Sequence, residues 1–215
     1  DAARRYSRIV SGGSQRVLED YRGAVDACWS GSKGQVKSIN VNVGPLPTDC
    51  NKAGETVPDG FDWNMWLGPA PWAPYHPHRC SGSYNIDGTS WRSFKDYSGG
   101  GMTDWGAHHF GGATFALDVR ELEPEEVIFH NENGRKYATC RFPNGKLLHH
   151  NCPGRGNIAV EGTNEQGPSK PVPSYAGTGG IYGDFIDCVK TRKKPFRDIE
   201  FAVHTANVCH LFLAA

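Results

Sequence analysis

The sequence predicts an α+β fold in which a short α/β opening leads into helices and a largely antiparallel sheet. Three observations carry this. Asn133-Gly134 and Asn144-Gly145 separate short β-prone runs, which is the strongest local signal for hairpins. Apolar residues recur at helical spacing over 17–29, 104–117, 181–189 and 198–212. The opening residues read in turn as helix, strand, helix and strand.

Ala2, Ala3 and Tyr6 read as the tail of a helix, and Arg8-Ile9-Val10 as a strand entering the glycine turn at Ser11-Gly12-Gly13. Val17 to Trp29 sets Tyr21, Ala24, Val25 and Cys28 on one helical face and stops near Ser30-Gly31. Val36 to Val43 alternates at Ile39, Val41 and Val43, a strand bounded by Gly34 and Gly44-Pro45. The region from Pro45 to Ser98 is long and irregular, and loops of that length are functional or disordered. Its aromatic residues (Trp63, Trp66, Trp72, Tyr75, Tyr84, then Trp91 and Tyr97) predict order, because disordered segments are poor in them. Val127–His130, Arg135–Phe142 and Lys146–His150 form an antiparallel meander, with Ile158–Val160 a candidate fourth strand. Ile181, Phe185, Cys188 and Val189 mark a helix that Pro195 ends. A last helix begins near Asp198 and sets Phe201, Val208 and Phe212 on one face around the small Thr205.

With 215 residues the chain can bury a substantial core as one or two domains. Lys plus Arg equal Asp plus Glu at 23 each, so no global field recruits nucleic acid or an anionic membrane. The basic run from Lys190 to Lys194 reads as a solvated helix end. Seven cysteines without C-x-x-C spacing predict free thiols in a reducing compartment. No apolar run approaches the roughly 18–20 residues of a membrane span. No charged-then-apolar leader opens the chain. The expected location is the cytoplasm, or the periplasm if a leader precedes Asp1.

Gly99 to Leu117 is the stretch able to carry chemistry. Thr103 is placed as a helix N-cap, with Asp104 in the first turn, where the macrodipole favours an acid. Asp104 and His108 are four apart and share a helix face, so the carboxylate can orient the imidazole or raise its proton affinity. Phe110, Ala113 and Leu117 form an apolar stripe roughly opposite. The same spacing also suits a surface pair contributing roughly a few tenths of a kcal/mol. Context favours the site: glycine costs about 1 kcal/mol inside a helix, so Gly106, Gly111 and Gly112 imply close approach of a backbone or ligand.

Other patterns fail on context. Gly154-Arg-Gly156-Asn-Ile-Ala159 has the letters of a dinucleotide fingerprint but lies between strands, as a hairpin connection. Gly177 to Gly183 leads into a helix with no strand before it. His76-Pro-His78-Arg-Cys80, with His108, His109 and Asp104, offers zinc-type ligands at spacings that match no closed site, so no metal is expected. No Gly-x-Ser-x-Gly elbow is present.

Several segments together resemble the Gfo/Idh/MocA oxidoreductases, specifically a bacterial sugar-directed branch. They are Gly13-Ser14-Gln15-Arg16, Gly34-Gln35-Val36-Lys37, Asp62 to Pro71, Pro74-Tyr75-His76-Pro77, Trp91-Arg92, Gly99 to His109 and Asp184 to Val189. The resemblance covers nearly the whole chain in consistent order. It implies a remnant of a Rossmann nucleotide-binding domain at 1–33, its last α-β-α piece. Residues 34–215 would then be a substrate-binding and oligomerisation domain with a large open, mainly antiparallel sheet. The glycine fingerprint and the catalytic lysine segment would lie upstream of Asp1, so this portion alone would be inactive.

The family's Asp-x-x-x-His pattern maps onto Asp104 and His108. This implies that His108 is the general acid/base while hydride passes between substrate carbon and NAD or NADP. The resemblance further implies substrate contacts from Tyr75, His76, Trp105 and His109, and cofactor contacts from Gln15, Arg16, Trp91 and Arg92. Gly111 stands where many relatives of this branch have an acid. The implied activity is oxidation or reduction of a sugar, polyol or derivative, in an oligomer of identical chains formed through the open sheet. Two alternatives stay open: a redox-neutral NAD-dependent glycosidase or lyase, and a non-catalytic saccharide-binding or association domain.

Overall fold

The computed structural model describes residues 2–12, 21–82, 88–155, 158–163 and 165–214. The chain divides into two compact units, Asp1–Asn42 with Ala107–Ala215, and Val43–Gly106.

The first unit is built on a five-stranded sheet: β1 (Val36–Val41), β2 (Glu126–Glu132), β3 (Arg135–Arg141), β4 (Leu147–His150) and β5 (Ala159–Gly162), in the order β2-β3-β4-β1-β5. The meander forms as expected. Asn133 and Gly134 both adopt positive φ, 52° and 81°, the mirror-image turn that matches strand twist and sets the β2–β3 register from Glu126↔Arg141 to Glu132↔Arg135. β4 then pairs with β1 in parallel, and β5 joins the other edge of β1 antiparallel. The connection carrying Gly154 is therefore not a hairpin, since β1 lies between the two strands it joins. β1 ends at Val41 and not Val43, because the Asn42 amide turns out to the Arg155 carbonyl at 3.2 Å.

One sheet face carries Ile39, Val41, Ala138, Cys140 and Leu148, all buried. Against this core lie Phe110 and Leu117 of α5 (Trp105–Ala116) and just beyond it, and Val208 and Phe212 of α7 (Ile199–Ala214). Phe110 and Phe212 stack at 4.9 Å. The other face is polar. Thr139 Oγ lies 3.0 Å from His130 Nε2 and 2.8 Å from His149 Nδ1, and Ser38 donates to Glu161 at 2.8 Å.

Of the opening helices, α1 is Ala2–Arg5 and α2 is described over Arg22–Trp29, with Val25 and Trp29 buried. Arg8–Val10 is not a strand. Among the described residues of this segment only Ser11 bridges, to Asp198, and Gly12 N–H donates to the Arg197 carbonyl at 2.6 Å. α6 (Gly180–Thr191) corrects the expected apolar face: it buries Asp184 and Cys188, while Phe185 and Val189 stay exposed. The Asp184 carboxylate earns its burial by accepting the Phe196 amide at 2.9 Å.

The second unit holds two short helices, α3 (Trp63–Leu67) and α4 (Pro77–Cys80), and two 3₁₀ turns, Trp91–Ser93 and Gly100–Met102. Its order comes from the aromatic residues, as the composition predicted. Trp63 stacks on Trp66 at 4.9 Å, Tyr97 meets Trp66 edge-on at 5.0 Å, and Tyr75 meets Trp63 at 5.4 Å. Buried Arg79 ties the loops by donating to Asp96, Tyr97 and the Cys50 carbonyl. The glycine run has a steric cause: a Cβ on Gly101 would lie 2.5 Å from the Gly44 backbone. No helix among the described residues is long and apolar enough to cross a membrane.

Candidate active site

Asp104 directly precedes α5 and His108 lies in the first turn of that helix, so the expected one-turn spacing is realised. Thr103 does not cap α5. It closes the Gly100–Met102 turn, its hydroxyl accepting from Gly99 N–H at 3.1 Å, which is a correction to its expected role. Within the second unit the Asp104 carboxylate pairs with Arg92 at 3.4 Å. The Arg92 guanidinium lies 4.5 Å over the Trp91 ring and donates to the Gly82 carbonyl at 2.8 Å.

In the first unit His108 lines a cavity of about 240 Å3 between α5, α7 and the Phe196–Asp198 segment. The walls are mainly apolar, from Phe115, Phe196, Phe201 and Ala202. Two threonines also face it, but the Thr114 hydroxyl donates to the Phe110 carbonyl at 2.8 Å and that of Thr205 to the Phe201 carbonyl at 2.9 Å. Arg120 also lines the cavity. Burial pushes its pKa down, opposed by Glu121 and Asp118. The apolar stripe expected of Phe110, Ala113 and Leu117 is wider than a single face, because every residue from Phe110 to Leu117 is buried.

His109 is held by a residue that sequence reasoning placed only on a helix face. Tyr21 Oη lies 2.5 Å from His109 Nδ1, the two rings meet edge-on at 5.4 Å, and Tyr21 is buried. Gly112 admits that ring, since a Cβ there would lie 2.6 Å from the Tyr21 ring carbons. The glycine cost inside α5 was the signal that something approaches there.

Tyr75 and His76 sit in the second unit with structural partners. His76 Nδ1 accepts the His78 amide at 3.2 Å, and its Nε2 lies 3.1 Å from Glu55. His78 is buried, with its Nδ1 3.1 Å from the Thr89 hydroxyl. Trp105 is exposed at the start of α5. Gln15 and Arg16 lie outside the described residues. Among the described residues no three His, Cys, Asp or Glu side chains converge as a metal site requires.

An open, mostly antiparallel sheet backed by helices is the architecture of an oxidoreductase C-terminal domain. The profile of the "Oxidoreductase family, C-terminal alpha/beta domain" (GFO_IDH_MocA_C2) matches residues 48–167, more than half of the chain. The chain belongs to this family, the Gfo/Idh/MocA oxidoreductases. Solved structures share the fold. An NAD-binding protein from Listeria innocua is 14% identical at a TM-score of 0.55, over 100% of this chain and 67% of that one. An aldose-aldose oxidoreductase from Caulobacter crescentus, complexed with glycerol, is 14% identical at 0.50, over 100% and 63%. GenD2 from gentamicin A biosynthesis, in complex with NAD, is 14% identical at 0.50, over 98% and 62%. The chain thus spans about two thirds of these proteins' lengths. No curated protein sequence matches it.

Proposed function

We propose that the chain is the substrate-binding and catalytic portion of an NAD(P)-dependent oxidoreductase acting on a sugar, polyol or derivative. The observation that carries this reading is the placement of His108, one helical turn after Asp104 and on the wall of a cavity. Oxidising an alcohol removes a proton from oxygen and a hydride from carbon, and imidazole is the side chain suited to the proton. In this reading His108 takes the hydroxyl proton during oxidation and returns it during reduction, and Asp104 positions the ring.

When bound, a nicotinamide supplies the hydride acceptor or donor. Arg92, a planar cation on an indole, fits contact with such a group. With Trp91, Gln15 and Arg16 it would hold the reactive end of the cofactor. Tyr75, His76, Trp105 and His109 would meet the substrate, residues 1–33 would close the nucleotide-binding domain, and 34–215 would form the substrate domain, paired with identical chains through its sheet. The names of the solved relatives, with NAD and aldoses in them, support the choice of cofactor and substrate class.

The test is absorbance of the reduced nicotinamide against a panel of aldoses and polyols, in the protein with its nucleotide-binding half. His108→Ala should lower kcat by roughly two to four orders of magnitude while cofactor affinity holds. An unchanged kcat removes His108 from the mechanism. Product formed without net change in nicotinamide would favour the glycosidase or lyase, and saccharide binding without turnover the binding domain.

A further inference from the structure

Arg120 stands apart from the other basic residues of the first unit. Its guanidinium carbon lies 4.1 Å from the Phe201 ring centroid, 4.7 Å from that of Phe115 and 5.3 Å from that of Phe196. Among the described residues it makes no hydrogen bond or ion pair. Of the acids that influence it, Asp118 is paired with Lys170 at 3.1 Å, and Glu121 is exposed. Three rings thus hold a half-buried guanidinium that, among the described residues, has no hydrogen-bond acceptor, on the wall of the cavity that His108 also lines.

Elsewhere on that wall Thr114 and Thr205 commit their hydroxyl protons to helix carbonyls and the phenylalanines offer ring faces, so among these residues the charged donor is Arg120. The Asp198 carboxylate, also on the wall, accepts the Glu200 amide at 2.8 Å. His108 and Phe115 are seven residues apart on α5, a rise of roughly 10 Å, so the histidine and the rings around Arg120 are spaced along the helix.

We infer that Arg120 is a specificity-determining residue that holds the anionic end of an acidic substrate, such as a sugar acid, whose reacting carbon lies at His108. The inference rests on the reading of His108 as the working residue. A guanidinium fork pairs two N–H donors with two oxyanion oxygens, a geometry that lysine lacks. A second source of the same oxyanion chemistry is the pyrophosphate of a dinucleotide.

Calorimetry without turnover tests this with gluconate, sorbitol and inorganic pyrophosphate. Gluconate should bind at least tenfold more tightly than sorbitol, and the preference should shrink at high salt, as for a charge-assisted contact. Arg120→Gln should bind both alike, and Arg120→Lys should keep part of the preference. Equal binding of gluconate and sorbitol by the unaltered protein overturns the inference, as does a preference that survives Arg120→Gln. Binding of pyrophosphate with no gluconate preference overturns it too, and gives the guanidinium to the cofactor. Should Arg120→Gln not fold, the salt dependence of the gluconate preference decides. Loss of the His108 reading would appear separately, as undiminished turnover in His108→Ala.

Discussion

His108 and His150 belong to the same unit and meet opposite surroundings. His108 lines a cavity, whereas His150 is buried beside the rings of Phe110 and Phe212, at 6.0 and 5.7 Å, and burial pushes its pKa down from 6.5 to about 4. The unfolded chain binds this proton more readily than the folded one, so the contribution is complete above pH 6.5 and is lost as pH falls toward 4. It amounts to up to about 3 kcal/mol. His149, also pushed down by burial and next by Arg155, acts with the same sign. Urea unfolding at pH 7 and at pH 4.5 should show that loss, and His150→Leu should flatten it. Equal pH dependence in the variant would assign the effect elsewhere.

Among the elements, α5 is governed by its neighbours more than by its own propensity. It carries glycines at 106, 111 and 112, poor helix formers, and is buried from Phe110 onward. In an isolated helix Gly112→Ala would be favourable by about 1 kcal/mol. Here the new Cβ meets the Tyr21 ring at 2.6 Å, in a core that does not yield cheaply, so destabilisation by about 1–3 kcal/mol is expected instead. The same variant should disturb the Tyr21–His109 pair, visible as a changed imidazole resonance. A more stable Gly112→Ala protein would refute the packing account. α6 shows the converse: its apolar residues had helical spacing, but tertiary partners turned Asp184 and Cys188 inward.

For the molecule as a whole, the sheet order makes β1 the strand that joins the meander to β5. It pairs on both edges and is buried at Ile39, Asn40 and Val41, whereas β2 pairs on one edge and is largely exposed. Amide hydrogen exchange should therefore be slowest in β1 and β4 and fast in β2, since protection follows burial and pairing. Faster exchange in β1 than in β2 would show that the sheet does not unfold around its centre. The family assignment belongs to this scale too, because it rests on a matched span and a shared fold and not on a single residue.

The sequence by itself determined what is local or periodic. The Asn-Gly pairs set the meander, helical spacing located α5 and α7, aromatic content announced order in the second unit, and the Asp104–His108 interval followed from chain spacing alone. Only the tertiary structure decided which strand lies beside β1, that Arg8–Val10 pairs with no strand among the described residues, that Tyr21 claims His109, and that Arg120 sits among three rings on the wall of the His108 cavity. Those outcomes depend on partners as distant in the chain as Tyr21 and His109. Neighbouring residues encode turns and faces, but not which distant surface will come to lie against them.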